Sequence, residues 1–207
     1  MASIEGARDL WSGVGSLVAL IRSDLWRYTG ECSIPVFCRH MALAPGFEYT
    51  FWMRLTAWLA TQAHPFRALR LFAGLVKRHL GYKYGISIPF RTRIGPGLYI
   101  GHFGDIVVNG DCVVGANCNI SQGVTLGQSN RGNRRGVPVL GSNVYLGPGA
   151  KLVGRVRLGS NVAVGANAVV TKDVPDNCVV AGVPAEILSH EGSVGYIIRT
   201  DYPLARA

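Results

Sequence analysis

From Ile88 an aliphatic residue returns every six positions, as Ile88, Ile94 and Ile100, then Val108, Val114, Ile120 and Leu126, and after an interruption Leu140, Leu146, Leu152, Leu158, Val164 and Val170. So short a fixed period leaves few architectures open. Each unit is long enough for one flat strand and one corner, so three units close a triangular coil whose aliphatic residues point inward and stack on those of the next coil. Two positions ahead of the anchors stand small or apolar residues, Cys112, Cys118, Val124, Val144, Ala150, Val156, Val162 and Ala168, sized for a narrow interior. Cys178 stands in the same relation to Val180. The pattern predicts a mainly β protein, a parallel β-helix covering roughly two fifths of the chain.

The period breaks twice, and breaks in a solenoid are where loops leave the scaffold. Two residues are inserted just after His102, around Ile106 to Val108, and eight between Leu126 and Leu140, where the loop carries Arg131, Arg134 and Arg135.

Ahead of the repeat the texture changes. Residues 1–83 hold all four Trp and show helical spacing: Phe47, Phe51, Leu55 and Leu59, then, after Pro65, Phe66, Leu69, Phe72, Leu75 or Val76, and Leu80. We divide the chain into a helical segment (1–83), the β-helix (84–188) and a tail (189–207). The second helix is basic at Arg67, Arg70, Lys77 and Arg78. Such a helix could lie on an anionic membrane surface, or cap the open first coil with its cations in solvent, which answers a solenoid's exposed edge. Charged residues interrupt every apolar run long enough to cross a bilayer, and the N-terminus lacks a secretory pattern. The five cysteines form no C-x-x-C pair and their odd number argues for free thiols. A cytoplasmic protein is expected, with contact at the inner face of the cell membrane the one variation. The net charge of +9 favours anionic partners.

Of five histidines only His102 falls inside the coils. Counting three units per coil places Gln122, Pro148 and Ala166 below it in one column, with His102 and Ala166 roughly 14 Å apart at the spacing of neighbouring strands. That length suits an extended thiol arm.

The stretch from Tyr84 to Leu188 resembles the serine acetyltransferase branch of the hexapeptide acyltransferases. The residues that carry the likeness are Gly101-His102 followed by Ile106-Val107-Val108, Gln122-Gly123-Val124-Thr125-Leu126-Gly127, and Ala181-Gly182-Val183-Pro184-Ala185. The resemblance implies a left-handed winding, a homotrimer, and acetyl-CoA as acyl donor in a groove between neighbouring subunits. It makes His102 the general base of a direct transfer without an acyl-enzyme. It assigns Gly147, Pro148, Gly165, Ala166 and Lys172 to the cofactor groove, with Lys172 toward the nucleotide phosphates. Asp105 or Asn119 could orient the imidazole, and Gln122, Arg131, Arg134 and Arg135 could serve the acceptor or the cofactor phosphates.

Two departures bear on the acceptor. Serine acetyltransferases resemble this chain but carry Asp where Ser87 stands and a second His where Val137 stands. Without that carboxylate and imidazole a zwitterionic amino acid loses its partners. The short helical leader also resembles exopolysaccharide acetyltransferases of the colanic-acid type, so a saccharide hydroxyl in polysaccharide biosynthesis is the expected acceptor and serine the alternative. A zinc enzyme of the γ-carbonic anhydrase type would need three imidazoles where the coils offer one, so no metal is expected. A non-enzymatic scaffold binding membranes or glycans would leave His102 and the Arg loop unexplained. Nucleic acid is not expected as a partner.

Overall fold

The computed structural model describes residues 14–62 and 64–202. The ends of the predicted helical segment and tail, 1–13 and 203–207, lie outside them. Four helices come first: α1 (Val14–Thr29), α2 (Ile34–Leu43), α3 (Pro45–Thr61) and, after a single 3-10 turn at His64–Phe66, α4 (Arg67–Tyr84). From Ile86 the chain winds through short strands that stack coil on coil into three parallel faces.

Face A stacks Ile86–Ser87, Ile106–Val108, Thr125–Gly127, Lys151–Val153 and Val169–Val170. Face B stacks Arg93–Ile94, Val113–Val114, Val139–Leu140 and Arg157–Leu158. Face C stacks Asn119–Ile120, Tyr145–Leu146, Ala163–Val164 and Val179–Gly182, and is closed by the antiparallel strand Ala185–Ser189. The registers follow the six-residue count: Val108 lies on Leu126, Leu126 on Leu152, Leu152 on Val170. Every periodic aliphatic residue from Ile88 to Val170 is buried, and so is each small residue two positions before. The prism interior is thus the core read from the period.

One corner is held by a ladder of asparagines. Asn117, Asn143, Asn161 and Asn177 all have φ between 56° and 59°, a left-handed conformation that Asn tolerates better than most residues. Each donates from its side-chain amide to the next, Asn117 to Asn143 at 3.0 Å, Asn143 to Asn161 at 2.8 Å and Asn161 to Asn177 at 2.9 Å. The sequence signal is an Asn directly before the buried Cys118, Val144, Val162 and Cys178.

The helices satisfy the open edge of the first coil. Tyr49 Oη donates to the Ile88 carbonyl and accepts from its N–H, both at 3.0 Å. Arg54 donates to the carbonyls of Ile94 (2.6 Å) and Gly95 (2.7 Å), and its Nε and Nη2 hold Asp24, which accepts from the Leu98 N–H at 2.7 Å. Arg27 reaches the Gly97 carbonyl at 2.8 Å and Asn119 Oδ1 at 2.7 Å. Backbone groups that would otherwise be orphaned find partners. The contact is close: a Cβ on Gly46 would sit 2.8 Å from the Ile100 Cβ.

Helix α4 follows the expected stripe only in part: Leu80 is buried and Val76 packs partly buried against the prism core. The buried residues of α4 are Ala73, Leu80 and Tyr84, whereas Leu69, Phe72 and Leu75, expected on the packed stripe, are 46%, 55% and 64% exposed. The smaller residues win because close approach needs them: a Cβ at Gly81 would lie 2.9 Å from the Ile86 carbonyl oxygen.

After Ser189 the chain runs back across face C. Ser193 bonds the carbonyls of Asn143 and Asn161, Tyr196 stacks on Tyr145 at 4.4 Å, and Arg199 donates to the Tyr28 carbonyl. The described part of the predicted tail is therefore a strap tying the last coils to α1.

Burial pushes the Cys112 thiol up to about 11 and the Cys118 thiol up to about 12, and thiols so held do not form thiolates at neutral pH. An alkylating reagent on the native protein is therefore expected to modify exposed Cys38, and half-buried Cys32 more slowly, while Cys112, Cys118 and Cys178 react only after denaturation. Mass spectrometry of the labelled peptides checks this, and native labelling of Cys118 would contradict the packing described.

Candidate active site

His102 stands on the corner between faces C and A. The strand entering this corner pairs Tyr99 with Asn119 and the strand leaving it pairs Val107 with Thr125. The first offset is twenty residues and the second eighteen, so two extra residues sit between Tyr99 and Val107. The corner ladder locates them: Gly123 N–H donates to Gly104 as Gly149 N–H donates to Gln122 and Asn167 N–H to Pro148, each at 2.8 Å. Gly104, not His102, is therefore the backbone counterpart of Gln122. The insertion falls at His102 rather than after it, and lifts the imidazole out of the column into an exposed bulge.

Gly104 (φ 111°) and Asp105 (φ 52°) bend the chain back. Phe103, 49% exposed, rests on the Tyr84 ring at 5.2 Å and anchors the loop. Asp105 is exposed beside the bulge. Asn119 is a correction: buried at 8% exposure, it accepts from Arg27 and donates to the Tyr196 carbonyl at 2.9 Å, so both ends of its amide serve the strap and α1 rather than His102.

Below the bulge lies an edge of small residues. A Cβ on Gly147 would meet the Val164 carbonyl oxygen at 2.7 Å, and one on Gly165 would meet the Ala181 Cβ at 2.8 Å, so stacking alone demands glycine at both. The result is a low shelf formed with half-buried Pro148 and exposed Ala166. Gln122 is half-buried at its head, and its Oε1 is buried with no hydrogen-bond partner among the described residues. Lys151, which the repeat analysis did not single out, extends along face A and donates from Nζ to the Gly123 carbonyl and to Thr125 Oγ1.

A second group gathers at the corner between faces A and B. The loop after Gly127 is closed by two mutual backbone bonds of Ser129 and Gly136, each 3.0 Å, and exposes Arg131, Arg134 and Arg135. Arg134 pairs with Asp173 at 3.4 Å, next to exposed Lys172. Both partners are about half exposed or more, so the pair contributes little. Within one chain face A separates this cationic corner from the His102 edge.

A cavity of ≈ 1110 Å³ lies on neither edge. It opens between the helices and face B, lined among others by Leu17, Trp58, Arg93, Val113, Val139 and Arg157.

Residues 138–172 match the family model described as bacterial transferase hexapeptide (six repeats). The serine acetyltransferase of Synechococcus elongatus is 35% identical over 148 residues, 72% of this chain and 59% of that protein. That of Staphylococcus epidermidis is 33% identical over 144 residues, 70% of this chain and 66% of that protein. Among solved structures, serine acetyltransferase from Brucella abortus in complex with coenzyme A superposes with a TM-score of 0.68 at 30% identity, covering 90% of this chain and 71% of that one. The Neisseria gonorrhoeae enzyme also reaches a TM-score of 0.68, at 28% identity, covering 84% of this chain and 65% of that one.

The chain belongs to the hexapeptide-repeat acyltransferases, the class that the coils and the fold match define. Within it, the relatives named here are serine acetyltransferases, and they lend no support to a closer kinship with the colanic-acid type. The chain spans between half and two thirds of the length of the curated relatives it matches. The fold match agrees with the left-handed winding that the resemblance implied.

Proposed function

We propose that this protein is an acetyl-CoA-dependent O-acetyltransferase with His102 as its general base. The observation that carries the reading is the exposed imidazole at the head of the low shelf formed by Gly147, Pro148, Gly165 and Ala166, in a chain matched over 90% of its length by a coenzyme A complex of a serine acetyltransferase. The donor's thiol arm runs down the shelf with its thioester near the bulge. The acceptor oxygen attacks the thioester carbonyl while His102 takes its proton; the C–S bond then breaks and the imidazolium returns the proton to the departing thiolate. Gln122 lies at the bulge end of the shelf, half-buried at its head. Lys172, Arg131 and Arg135 meet the nucleotide phosphates from a neighbouring copy, which is why the homotrimer belongs to this reading.

The relatives make serine the first acceptor to test. A second reading, a saccharide hydroxyl, is favoured by what stands at the two departing positions. Ser87 is exposed but neutral, and Val137 packs partly buried against the prism core. Neither offers a charge to an ammonium group, and a neutral hydroxyl acceptor needs none.

The discriminating experiment supplies purified protein with acetyl-CoA and either serine or a panel of free and nucleotide-linked sugars, and measures free coenzyme A. Release with serine assigns that acceptor, and release with a sugar alone assigns the second reading. No release with any acceptor removes the enzymatic proposal.

A further inference from the structure

The outer surface of the helical segment carries a run of aromatic and aliphatic side chains. Phe37 of α2 meets Phe51 of α3 at 5.5 Å, Phe51 meets Trp52 at 5.5 Å, and Trp52 meets Phe72 of α4 at 6.1 Å, a continuous row of rings across three helices. One turn before Phe37, Ile34 is 81% exposed; beside Phe72, Leu69, Leu71 and Leu75 are 46%, 59% and 64% exposed. The opposite side of α4 is already committed, with Ala73, Leu80 and Tyr84 buried against α3 and the first coil. A contiguous apolar surface that the fold leaves uncovered marks a contact with something else.

Its rim carries one sign of charge. Residues 34–84 contain seven Lys and Arg and a single acid, Glu48, whose carboxylate accepts from Tyr84 Oη at 2.7 Å. Arg54 is buried on Asp24, while Arg39, Arg67, Arg78 and Lys83 are exposed. A second copy docked here about a two-fold axis would set like charges against each other. An anionic lipid surface takes the apolar side chains and the cations together. Among the described residues no helix is long and apolar enough to cross a membrane, so the contact is one of lying on the surface.

We infer that the face formed by α2, α3 and α4 is a docking surface for an anionic lipid bilayer, with Leu71, Leu75 and Phe72 entering the headgroup boundary and Arg67, Arg78 and Lys83 meeting lipid phosphates. This goes beyond the transfer reaction and does not depend on it. The test is flotation of the purified full chain with vesicles of phosphatidylcholine alone and of phosphatidylcholine with phosphatidylglycerol. The protein floats with the anionic vesicles only and is released by salt. The pair Leu71→Gln with Leu75→Gln, and separately Arg67→Glu with Arg78→Glu, each weaken partitioning about tenfold or more. All four side chains are exposed, so thermal unfolding and oligomeric state stay as in the parent. Absence of flotation with anionic vesicles, or undiminished flotation of both variants, overturns the inference. So does dissociation of an oligomer by the leucine variants in lipid-free buffer, which would make the face a contact between copies.

Discussion

Replacing His102 with alanine is expected to lower acetyl transfer on the order of a hundredfold or more, with the assembly and its thermal unfolding unchanged. The size follows from removing the one positioned group that both takes and returns the proton, a contribution of about 10²–10⁴ in rate for general acid–base catalysis. Structure should survive because the imidazole is exposed and the bulge is held by other bonds: the Gly104 carbonyl on the Gly123 N–H and the Phe103 ring on Tyr84. His102→Asn keeps a polar side chain of similar reach without the proton exchange and should fall as far. Release of coenzyme A at saturating donor and acceptor is the measurement. Near-normal rates in either variant would take His102 out of the mechanism.

Asp24→Ala carries the largest expected effect on stability. Its carboxylate holds Arg54 through two nitrogens at 3.0 and 3.2 Å, and both side chains are 1% exposed. Removing the anion leaves a guanidinium in the interior and the Leu98 N–H without its acceptor. Breaking a buried pair from one side costs about 3–5 kcal/mol. The double variant Asp24→Leu with Arg54→Met removes both charges together and should recover part of that loss, though not the bonds from Arg54 to the Ile94 and Gly95 carbonyls. Urea unfolding midpoints at fixed protein concentration decide the matter. A loss below about 1 kcal/mol would mean that water enters the pair and that the helices are held to the prism mainly by apolar contact.

The prism was legible because its signal is local and redundant. Each aliphatic anchor repeats the instruction of the one six residues before it, and a slip at any unit would turn Leu152 or Val164 outward. The period singled out His102 as the one histidine within the coils, while its role as a base came only from the resemblance to serine acetyltransferases. The insertion beside it was counted correctly but placed too late, since the aliphatic count alone cannot say on which side of a corner the extra residues lie. Hydrogen bonding from Gly123 to Gly104 settles that.

Other assignments depended on surfaces meeting. Asn119 has the polar chemistry to orient an imidazole, yet Arg27, ninety-two positions earlier, takes its oxygen. In helix α4 the periodicity placed Leu80 and Val76 on the packed side but also Leu69, Phe72 and Leu75, which stay exposed; contact with α3 and the first coil selected the side with Ala73 and Gly81, where small residues allow a close approach.

By itself, then, the sequence determined the triangular coils, their buried residues, the two departures from the repeat and the singular histidine, because a six-residue period constrains each unit through its immediate neighbours. Tertiary structure alone decided that the imidazole leaves the column, that Asp24, Arg27 and Arg54 seal the first coil, and that the cationic loop lies across face A from the His102 edge. Those outcomes turn on which distant groups are brought within bonding distance, and no period along the chain encodes that.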